Sequence, residues 1–326
     1  MPGTGQKTTV VLFNMGGPKD QASVRSFLRN LFADPAIMNL PFGLRHLLAE
    51  WISRRREKPA QANYQLLGGG SPLMGETENQ RAALEKMLNQ QNQNDKFLCV
   101  TAMRYSQPST SQAIEKARDF MPDQVVLLPL YPQYSHTTSG SSLGEWVRRA
   151  RKDNWKTFSI ESYPTSKTFI KAHVEQILQT WKQANSPQNI RVLFSAHGLP
   201  EKNIAAGDPY QSQIEASVAK IIPKLPDDLQ DCQICYQSRV GPLKWIGPNM
   251  IDEIARAGRD NKNLLVVPIA FVSEHIETRV ELDIECAELA IQAGIEIYLR
   301  VPTLRTNERF IEALAEQVQI ALQGSV

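Results

Sequence analysis

Short apolar runs alternate along the chain with longer segments of helical periodicity. Runs rich in β-branched residues predict strands, and apolar positions three and four residues apart predict helices. In the first half, strands are predicted at residues 8–13, 97–103, 124–130 and 157–163, and helices at 21–32, 75–90, 109–120 and 143–152. In the second half, strands are predicted at residues 191–195, 233–237, 264–271 and 296–301, with a last helix at 307–323.

The two halves repeat one order of elements, and their sequences are related. VVLFNMGGP, which begins at residue 10, matches VLFSAHGLP, which begins at residue 192, and QVVLLPLYPQYS matches NLLVVPIAFVSE. Strands that alternate with helices imply parallel sheets with right-handed crossovers. We therefore predict an α/β fold of two similar domains, each with a four-stranded parallel sheet flanked by helices, and a cleft between them. The first domain is expected at residues 1–163 and the second at 164–303, with residues 304–326 packed on the first.

The composition is that of an ordinary globular protein. The chain has 326 residues, of which 42% are hydrophobic and 21% charged, and this length is enough for two cores. A net charge of +2 gives no reason to expect nucleic acid as a partner. Four cysteines are few for a disulfide scaffold, and no secretory signal or apolar run of about 18 residues is present. A cytoplasmic, reducing location is expected.

Residues 35–56 join an apolar stretch to a basic cluster. The apolar residues are Met38, Leu40, Phe42, Leu44, Leu47, Leu48, Trp51 and Ile52, and Arg54, Arg55 and Arg56 follow them. Apolar side chains beside arginines suit a contact with the surface of the inner membrane or an entrance for a greasy substrate. The alternative, a helix packed on the core, is equally compatible with the sequence.

One histidine and a row of carboxylates carry the candidate chemistry. Glu274, Glu277, Glu281 and Glu285 are three, four and four residues apart, so an α-helix would place them on one face. They follow the strand at 264–271, at the sheet edge where open α/β folds bind ligands, and His197 follows another strand of that half. A neutral imidazole can accept a proton or bind Fe²⁺. The pattern favours a path for protons or a cation, and the alternative is a solvated acidic face.

An ordered set of motifs resembles the ferrochelatase family over nearly the whole chain. The motifs are LFNMGGP at 12–18, GGGSP at 68–72, Arg104-Tyr105, YPQYS at 131–135, FSAHGLP at 194–200, GDPY at 207–210, QSRVGP at 237–242, WIGP at 245–248 and PIAFVSEHIE at 268–277. The resemblance implies two Rossmann-like domains of the chelatase type. It also implies a lyase that inserts Fe²⁺ into protoporphyrin IX to form protohaem, with loss of two pyrrole protons and distortion of the macrocycle.

The resemblance also implies roles for particular residues. His197 is expected to be a metal ligand or proton acceptor, with Glu277 as its carboxylate partner and Glu274 and Glu281 on the path of the metal. The residues expected to contact the porphyrin are Met15, Ser71, Arg104, Tyr105, Trp245 and His275.

Iron is expected to be a substrate, and no tightly bound cofactor is expected. Some family members hold a [2Fe–2S] cluster, but His136 stands where their internal cysteine would be, and no cysteine follows Cys286. Such a cluster is therefore not expected here.

Two other functions remain open at the level of sequence. One is a chelatase for another metal or porphyrin, such as cobalt or coproporphyrin. The other is a haem- or metal-binding protein without turnover. The sequence leaves open whether the chain is a monomer or a dimer.

Overall fold

A computed structural model of the chain describes residues 5–92, 94–239 and 241–324. The predicted outer bounds at residues 1 and 326 lie outside these ranges, as does Val240 of the QSRVGP motif. The chain divides into two compact units, Met1–Ser162 with Ile311–Val326, and Tyr163–Phe310. The domain bounds and the cleft expected from the sequence stay predictions.

The first unit is built on a parallel sheet. Its elements are β1 (Lys7–Asn14), α1 (Val24–Phe32), α2 (Phe42–Gln65), α3 (Leu73–Gln91), β2 (Lys96–Met103), α4 (Thr110–Phe120), β3 (Gln124–Pro129), α5 (Ser141–Arg149) and β4 (Lys156–Ser159). A 3₁₀ turn, Gln21–Ser23, precedes α1, and a π-helical turn, His136–Gly140, precedes α5. The strand order is β2-β1-β3-β4.

The second unit repeats this arrangement. Its elements are α6 (Lys167–Gln183), β5 (Ile190–His197), α7 (Glu201–Ala205), α8 (Tyr210–Ile221), β6 (Cys232–Gln237), α9 (Met250–Arg259), β7 (Asn263–Pro268), α10 (Cys286–Gln292) and β8 (Tyr298–Arg300). 3₁₀ turns at Ile222–Lys224 and Asp227–Leu229 precede β6, and a π-helical segment, Glu277–Glu285, precedes α10. The parallel strand order is β6-β5-β7-β8, and the last helix, α11 (Glu308–Leu322), continues into the first unit. The predicted fold class is confirmed.

Burial explains why the central strands read as continuous apolar runs. Every residue of β3 is buried, and β7 is buried after its first residue, as expected where helices cover both faces of a parallel sheet. In the first unit, the indole of Trp146 in α5 meets the ring of Phe13 in β1 edge to face, with centroids 6.0 Å apart. Each sheet is therefore a rigid platform whose carboxyl edge can hold loops in fixed positions.

Two segments differ from their predicted form, and both follow the third strand of their unit. Between the strand predicted at 124–130 and the helix predicted at 143–152, the chain contains the π-helical turn and the start of α5. The predicted acidic helix is π-helical from Glu277 to Glu285. A π turn takes in one more residue than an α turn and is frequent at functional sites. The carboxylates consequently do not form the single α-helical face expected from their spacing.

Helix α2 shows both properties considered for residues 35–56. Ala49 and Ser53 are buried, and α2 packs on α1. The side chains of Phe42, Leu47 and Trp51 are exposed, at 72%, 73% and 57%. None of the helices in the described ranges has the length and apolar character needed to cross a bilayer.

The Trp146 contact gives a prediction for the stability of the first unit. Trp146→Ala should lower the free energy of unfolding by about 3–5 kcal/mol, because it leaves a cavity beside Phe13. Its neighbour Val147 is exposed, so Val147→Ala should change that free energy by less than about 0.5 kcal/mol. Urea denaturation followed by far-UV circular dichroism measures both, and equal effects of the two variants would contradict the packing described.

Candidate active site

The carboxyl edge of the second sheet brings His197 close to the start of the π-helical segment. His197 ends β5, and the sheet register pairs it with Gln237, the last residue of β6. On the other side of β5, strand β7 ends at Pro268, and the chain then leads to His275 and Glu277. Parallel strands end at one edge of a sheet, so these side chains meet although they are far apart in sequence.

His197 and Glu277 form a direct contact. The Nδ1 atom of His197 lies 2.9 Å from Oε2 of Glu277. An ionised carboxylate can only accept a hydrogen bond, so Nδ1 carries the proton in this pair. In the neutral ring, Nε2 then keeps its lone pair and can accept a proton or contact a metal ion. The imidazole is 37% exposed and the Glu277 side chain 22% exposed, so the pair is reachable from outside.

The protonation of the pair follows from burial and charge. Burial lowers the pKa of His197, but the charge and hydrogen bond of Glu277 outweigh it, and the pKa is raised above its ordinary value. Burial would raise the pKa of Glu277, but His197 and His275 lower it well below its ordinary value. Glu277 therefore stays ionised, and the neighbouring imidazole is a better proton acceptor than a free histidine.

The pKa of Glu281 is shifted in the opposite direction. Burial and the charge of Glu277 raise the pKa of Glu281, despite hydrogen bonds from Ser238 and Gln237. Two carboxylates with pKa values pushed apart can take different roles, one as a fixed anion and one as a group that exchanges protons.

His275 also lies near the carboxylate of Glu277. Its Nε2 atom is 3.8 Å from Oε2 of Glu277, and its Nδ1 atom is 3.2 Å from the carbonyl oxygen of Ser273. The Phe271 ring lies against the imidazole, with centroids 4.6 Å apart. Both histidines thus face the same oxygen, Oε2, of Glu277.

Gln237 and Ser238 hold Glu281, and neither was among the predicted site residues. Nε2 of Gln237 donates to Oε2 of Glu281 at 3.0 Å and to the carbonyl oxygen of Glu277 at 3.1 Å. The backbone N–H of Ser238 donates to Oε1 of Glu281 at 2.7 Å, and the Ser238 hydroxyl donates to Oε2. Their place directly at the end of β6 was the signal in the sequence that could have identified them.

Glu274 is engaged elsewhere. Its Oε1 atom lies 2.7 Å from Nη1 of Arg300 and accepts the backbone N–H of Thr303, and its Oε2 atom accepts the hydroxyl of Thr278. Arg300 also binds Asp283 through two parallel hydrogen bonds of 2.6 and 2.8 Å. The predicted row of acids therefore divides into Glu277 with Glu281, next to His197, and Glu274 with Asp283, on Arg300.

The division also bears on the predicted metal ligands. Across residues 5–92, 94–239 and 241–324, no three His, Cys, Asp or Glu side chains are grouped so that they could hold a metal ion. The His197–Glu277 pair offers two such groups. This is a weak arrangement for a resident metal, and it differs from the closed four-ligand geometry of structural zinc sites.

Trp245 lies beside the loop that follows His197. Residues Pro200 and Trp245 form an antiparallel backbone bridge. A Cβ atom on Gly198 would lie 3.3 Å from the indole of Trp245, so the absence of a side chain at residue 198 allows the close approach. The indole therefore forms a wall next to the histidine.

In the first unit, Met15 follows β1 directly, at the position equivalent to His197 at the end of β5. The carbonyl oxygen of Met15 accepts the N–H of Tyr105 at 3.0 Å. The next two glycines pack tightly: Gly16 has a φ of +83°, and a Cβ on Gly17 would lie 2.5 Å from Cβ of Ser71. Met15 and Ser71 thus occupy neighbouring loops at the carboxyl edge of this sheet.

A buried carboxylate, Asp34, organises Arg104 and Tyr105. Its Oδ2 atom lies 2.7 Å from Nη2 of Arg104 and accepts the Tyr105 hydroxyl at 2.7 Å and the Ser141 hydroxyl at 2.5 Å. Burial raises the pKa of Tyr105 far above its ordinary value, with Asp34 adding to the shift. Arg104 also donates from Nε to Ser141. Asp34 was not predicted, because an acid just after a helix reads as solvent-exposed.

The chain is similar in sequence to known ferrochelatases. A family model described as ferrochelatase matches residues 7–322. The ferrochelatase of Caulobacter vibrioides is 53% identical over 314 residues, which cover 96% of this chain and 90% of that protein. That of Phenylobacterium zucineum is 51% identical over 319 residues, covering 98% and 92%.

Solved structures are similar in fold. SirB from Bacillus subtilis with Fe³⁺ superposes with a TM-score of 0.60 at 11% identity, covering 98% of this chain and 97% of that one. CbiX, described as the terminal enzyme for biosynthesis of sirohaem in denitrifying bacteria, gives a TM-score of 0.52 at 13% identity, covering 97% and 99%. At such identities they show the two-domain chelatase fold alone. From the family model and the relatives at about half identity, the chain belongs to the ferrochelatase family, the metal chelatases that insert iron into a porphyrin in haem biosynthesis.

Proposed function

We propose that the chain inserts Fe²⁺ into protoporphyrin IX, with His197 as the acceptor of the pyrrole protons. The observation that carries this proposal is the His197–Glu277 contact, which places the proton on Nδ1 and leaves Nε2 with a lone pair. Insertion replaces two pyrrole N–H bonds with bonds from nitrogen to iron, so two protons must leave for each turnover. An imidazole beside an ionised carboxylate can accept one proton at a time, because the carboxylate stabilises the imidazolium that forms.

The protons then need a second acceptor. Glu281 has a raised pKa and acts on His197 through its charge. We assign to Glu281 the passage of each proton from the imidazole to water, while Glu277 remains an anion. This division of roles follows the opposite pKa directions of the two carboxylates.

Iron is a substrate in this scheme. His197 and Glu277 would contact Fe²⁺ transiently, with Glu281 as the next carboxylate. Histidine nitrogen and carboxylate oxygen both suit Fe²⁺, and a small ligand set favours release of the ion to the porphyrin. Glu274, whose two oxygens are occupied by Arg300, Thr303 and Thr278, is proposed to support the segment through Arg300.

The porphyrin contacts proposed for each unit follow the family motifs. In the second unit, Trp245 and His275 stand next to the His197 loop and Glu277. In the first unit, Met15, Ser71 and the Arg104–Tyr105 pair occupy the carboxyl edge of the sheet. Rigid walls of this kind support distortion of the macrocycle, which exposes the nitrogen lone pairs.

We further propose that the chain works without a resident cluster. Cys99, Cys235 and Cys286 are buried, and Cys232 is half-buried. Burial raises the pKa of Cys232 and Cys286 to about 12. An iron–sulfur cluster needs several ligands around one centre, and across residues 5–92, 94–239 and 241–324 no three His, Cys, Asp or Glu side chains are grouped in that way.

Substitution at the pair tests the catalytic roles. His197→Ala should lower kcat for Fe²⁺ insertion by about 10²–10⁴-fold, the usual contribution of a general base, and Glu277→Gln should lower it by a similar factor. Insertion is followed by the Soret absorbance, with Fe²⁺ and Co²⁺ on protoporphyrin IX and on coproporphyrin to define the preferred pair. Glu285→Gln is the matched control, because Glu285 lies on the same segment but is exposed. Full activity of a folded His197→Ala variant would exclude the proposed role.

The pH dependence follows from the same contact. His197 must be neutral to accept a proton, and its pKa is raised by Glu277, so kcat/KM should rise with pH through that raised pKa. Glu277→Gln removes this cause and should move the histidine titration to lower pH. Titration of the [¹³C]-histidine Cε1 signals by NMR in the metal-free protein measures it directly. His173, whose burial lowers its pKa to about 3, should not titrate above pH 4 and serves as an internal reference.

The same shifts define the pH range of the pair's contribution to stability. A raised His197 pKa contributes fully below the unfolded value of 6.5 and is lost as pH rises through the folded pKa. A lowered Glu277 pKa contributes fully above 4.5 and is lost as pH falls. The contribution should therefore be complete between pH 4.5 and 6.5, and Glu277→Gln should lower the unfolding temperature most in that range.

We also propose that α2 contacts a membrane surface, with the protein otherwise in the cytoplasm. The exposed apolar side chains of Phe42, Leu44, Leu47 and Trp51 precede Arg54, Arg55 and Arg56 on one helix. This combination suits an anionic bilayer surface, where apolar groups enter the interface and arginines meet lipid phosphates.

Vesicle binding tests this contact. The wild-type protein should sediment with phosphatidylglycerol vesicles at low salt, and Leu47→Glu should reduce the bound fraction several-fold. Ile291 in α10 has the same 73% exposure as Leu47, so Ile291→Glu is the matched control and should bind like the wild type. Equal binding of all three proteins would contradict the assignment of the contact to α2.

A further inference from the structure

Gln237 joins three elements at the carboxyl edge of the second sheet. Its side chain is 1% exposed at the end of β6. Nε2 donates to the side chain of Glu281 and to the backbone carbonyl of Glu277, and Oε1 accepts the hydroxyl of Ser195 from β5 at 2.7 Å. The amide thus links two strands to the first turn of the π-helical segment.

The direction of the amide is determined by its partners. If the amide were rotated, Oε1 would face the carboxylate of Glu281 and the carbonyl oxygen of Glu277, and acceptors would face acceptors. In the observed direction both oxygens receive an N–H, and the hydroxyl of Ser195 has a partner. Ser195 is itself fully buried, so this arrangement cannot be replaced by water without cost.

The first unit has a side chain at the equivalent position that also reaches the segment after its third strand. The registers pair Asn14 with Met103 and Ala196 with Tyr236. Arg104, which follows Met103, is therefore equivalent to Gln237, which follows Tyr236. Arg104 donates to Ser141, directly after the π-helical turn of that unit. In both units, the residue at this strand end therefore holds the π-helical region in place through a side-chain hydrogen bond.

Arg104 and Gln237 differ in charge. In the first unit a cation pairs with Asp34. In the second unit a cation at position 237 would neutralise Glu277 and Glu281, which the proposed reaction needs as anion and proton acceptor. A neutral amide supplies hydrogen-bond donors without cancelling their charge.

We infer that Gln237, oriented by Ser195, is a positioning residue that holds Glu281 and the first turn of the π-helical segment in place, so that Glu277 meets His197. The inference rests on the proposed function, in which these groups carry the protons. Gln237 acts through Glu281 and Glu277 and is not itself assigned a contact with iron or porphyrin.

Gln237→Met tests the inference, because it keeps the length of the side chain and removes both donors. The kcat for Fe²⁺ insertion should fall by about 10–100-fold, the usual effect of losing a support of a site residue, while KM for protoporphyrin IX stays within about two-fold. Ser195→Ala should reduce kcat by a smaller factor, since it removes only the group that orients the amide. Gln233→Met is the matched control on the same strand, because the Gln233 amide donates to the adjacent carbonyl of Ile234 rather than to Glu277 or Glu281, and its kcat should equal that of the wild type.

A double-mutant cycle separates positioning from general damage. In a Glu281→Ala background, Gln237→Met should lower kcat by much less than in the wild type, because the side-chain oxygens that accept the hydrogen bond from Gln237 are gone. Equal effects in both backgrounds, or a rise in KM with unchanged kcat, would overturn the inference.

These variants also distinguish a failure of this inference from a failure of the proposed function on which it rests. If the wild-type protein inserts no Fe²⁺, the proposed function fails, and if His197→Ala keeps full activity, the proposed role of His197 fails. If His197→Ala is inactive and Gln237→Met has wild-type kcat, the proposed function stands and only the role of Gln237 is wrong.

Discussion

The hydrogen bond between His197 and Glu277 depends on where three parallel strands end. β5 presents the histidine, β6 presents Gln237 beside it, and the chain after β7 brings Glu277 to within 2.9 Å. Because the strands are buried and their register is set by the core, the edge is rigid before any ligand arrives. The contact determines which ring nitrogen is protonated, and this choice makes the other nitrogen available for chemistry.

The two units share a fold but differ in the side chains at the carboxyl edges of their sheets. Met15 stands where the second unit has His197, and Thr138 and Ser142 stand where it has Glu277 and Glu281. The first unit therefore has no proton acceptor at the positions that carry the proposed chemistry. At the carboxyl edge of its sheet, Arg104 is paired with Asp34. The two units share one sheet arrangement. Only the second unit has an imidazole and carboxylates at these equivalent positions.

Much of this could be predicted from the sequence, and the exceptions share a cause. The eight strands and the placement of His197 and Glu277 follow from local patterns and from the repeat. The π-helical segment and the engagement of Glu274 by Arg300 do not, since spacing along one segment cannot show which distant side chain will compete for an oxygen. Asp34, Gln237 and Ser195 were missed for the same reason: their partners lie 40 to 107 residues away in the sequence.

The sequence by itself determined the α/β class and the duplication, because these depend on residue type and period, and its ordered motifs identified the ferrochelatase family. Tertiary structure alone decided that Glu281 rather than Glu274 lies beside the His197–Glu277 pair, which nitrogen holds the proton and which amide supports the carboxylates. Such choices are set by distances of about 3 Å between groups that only the folded sheet edge brings together, where low exposure strengthens each charge and hydrogen bond.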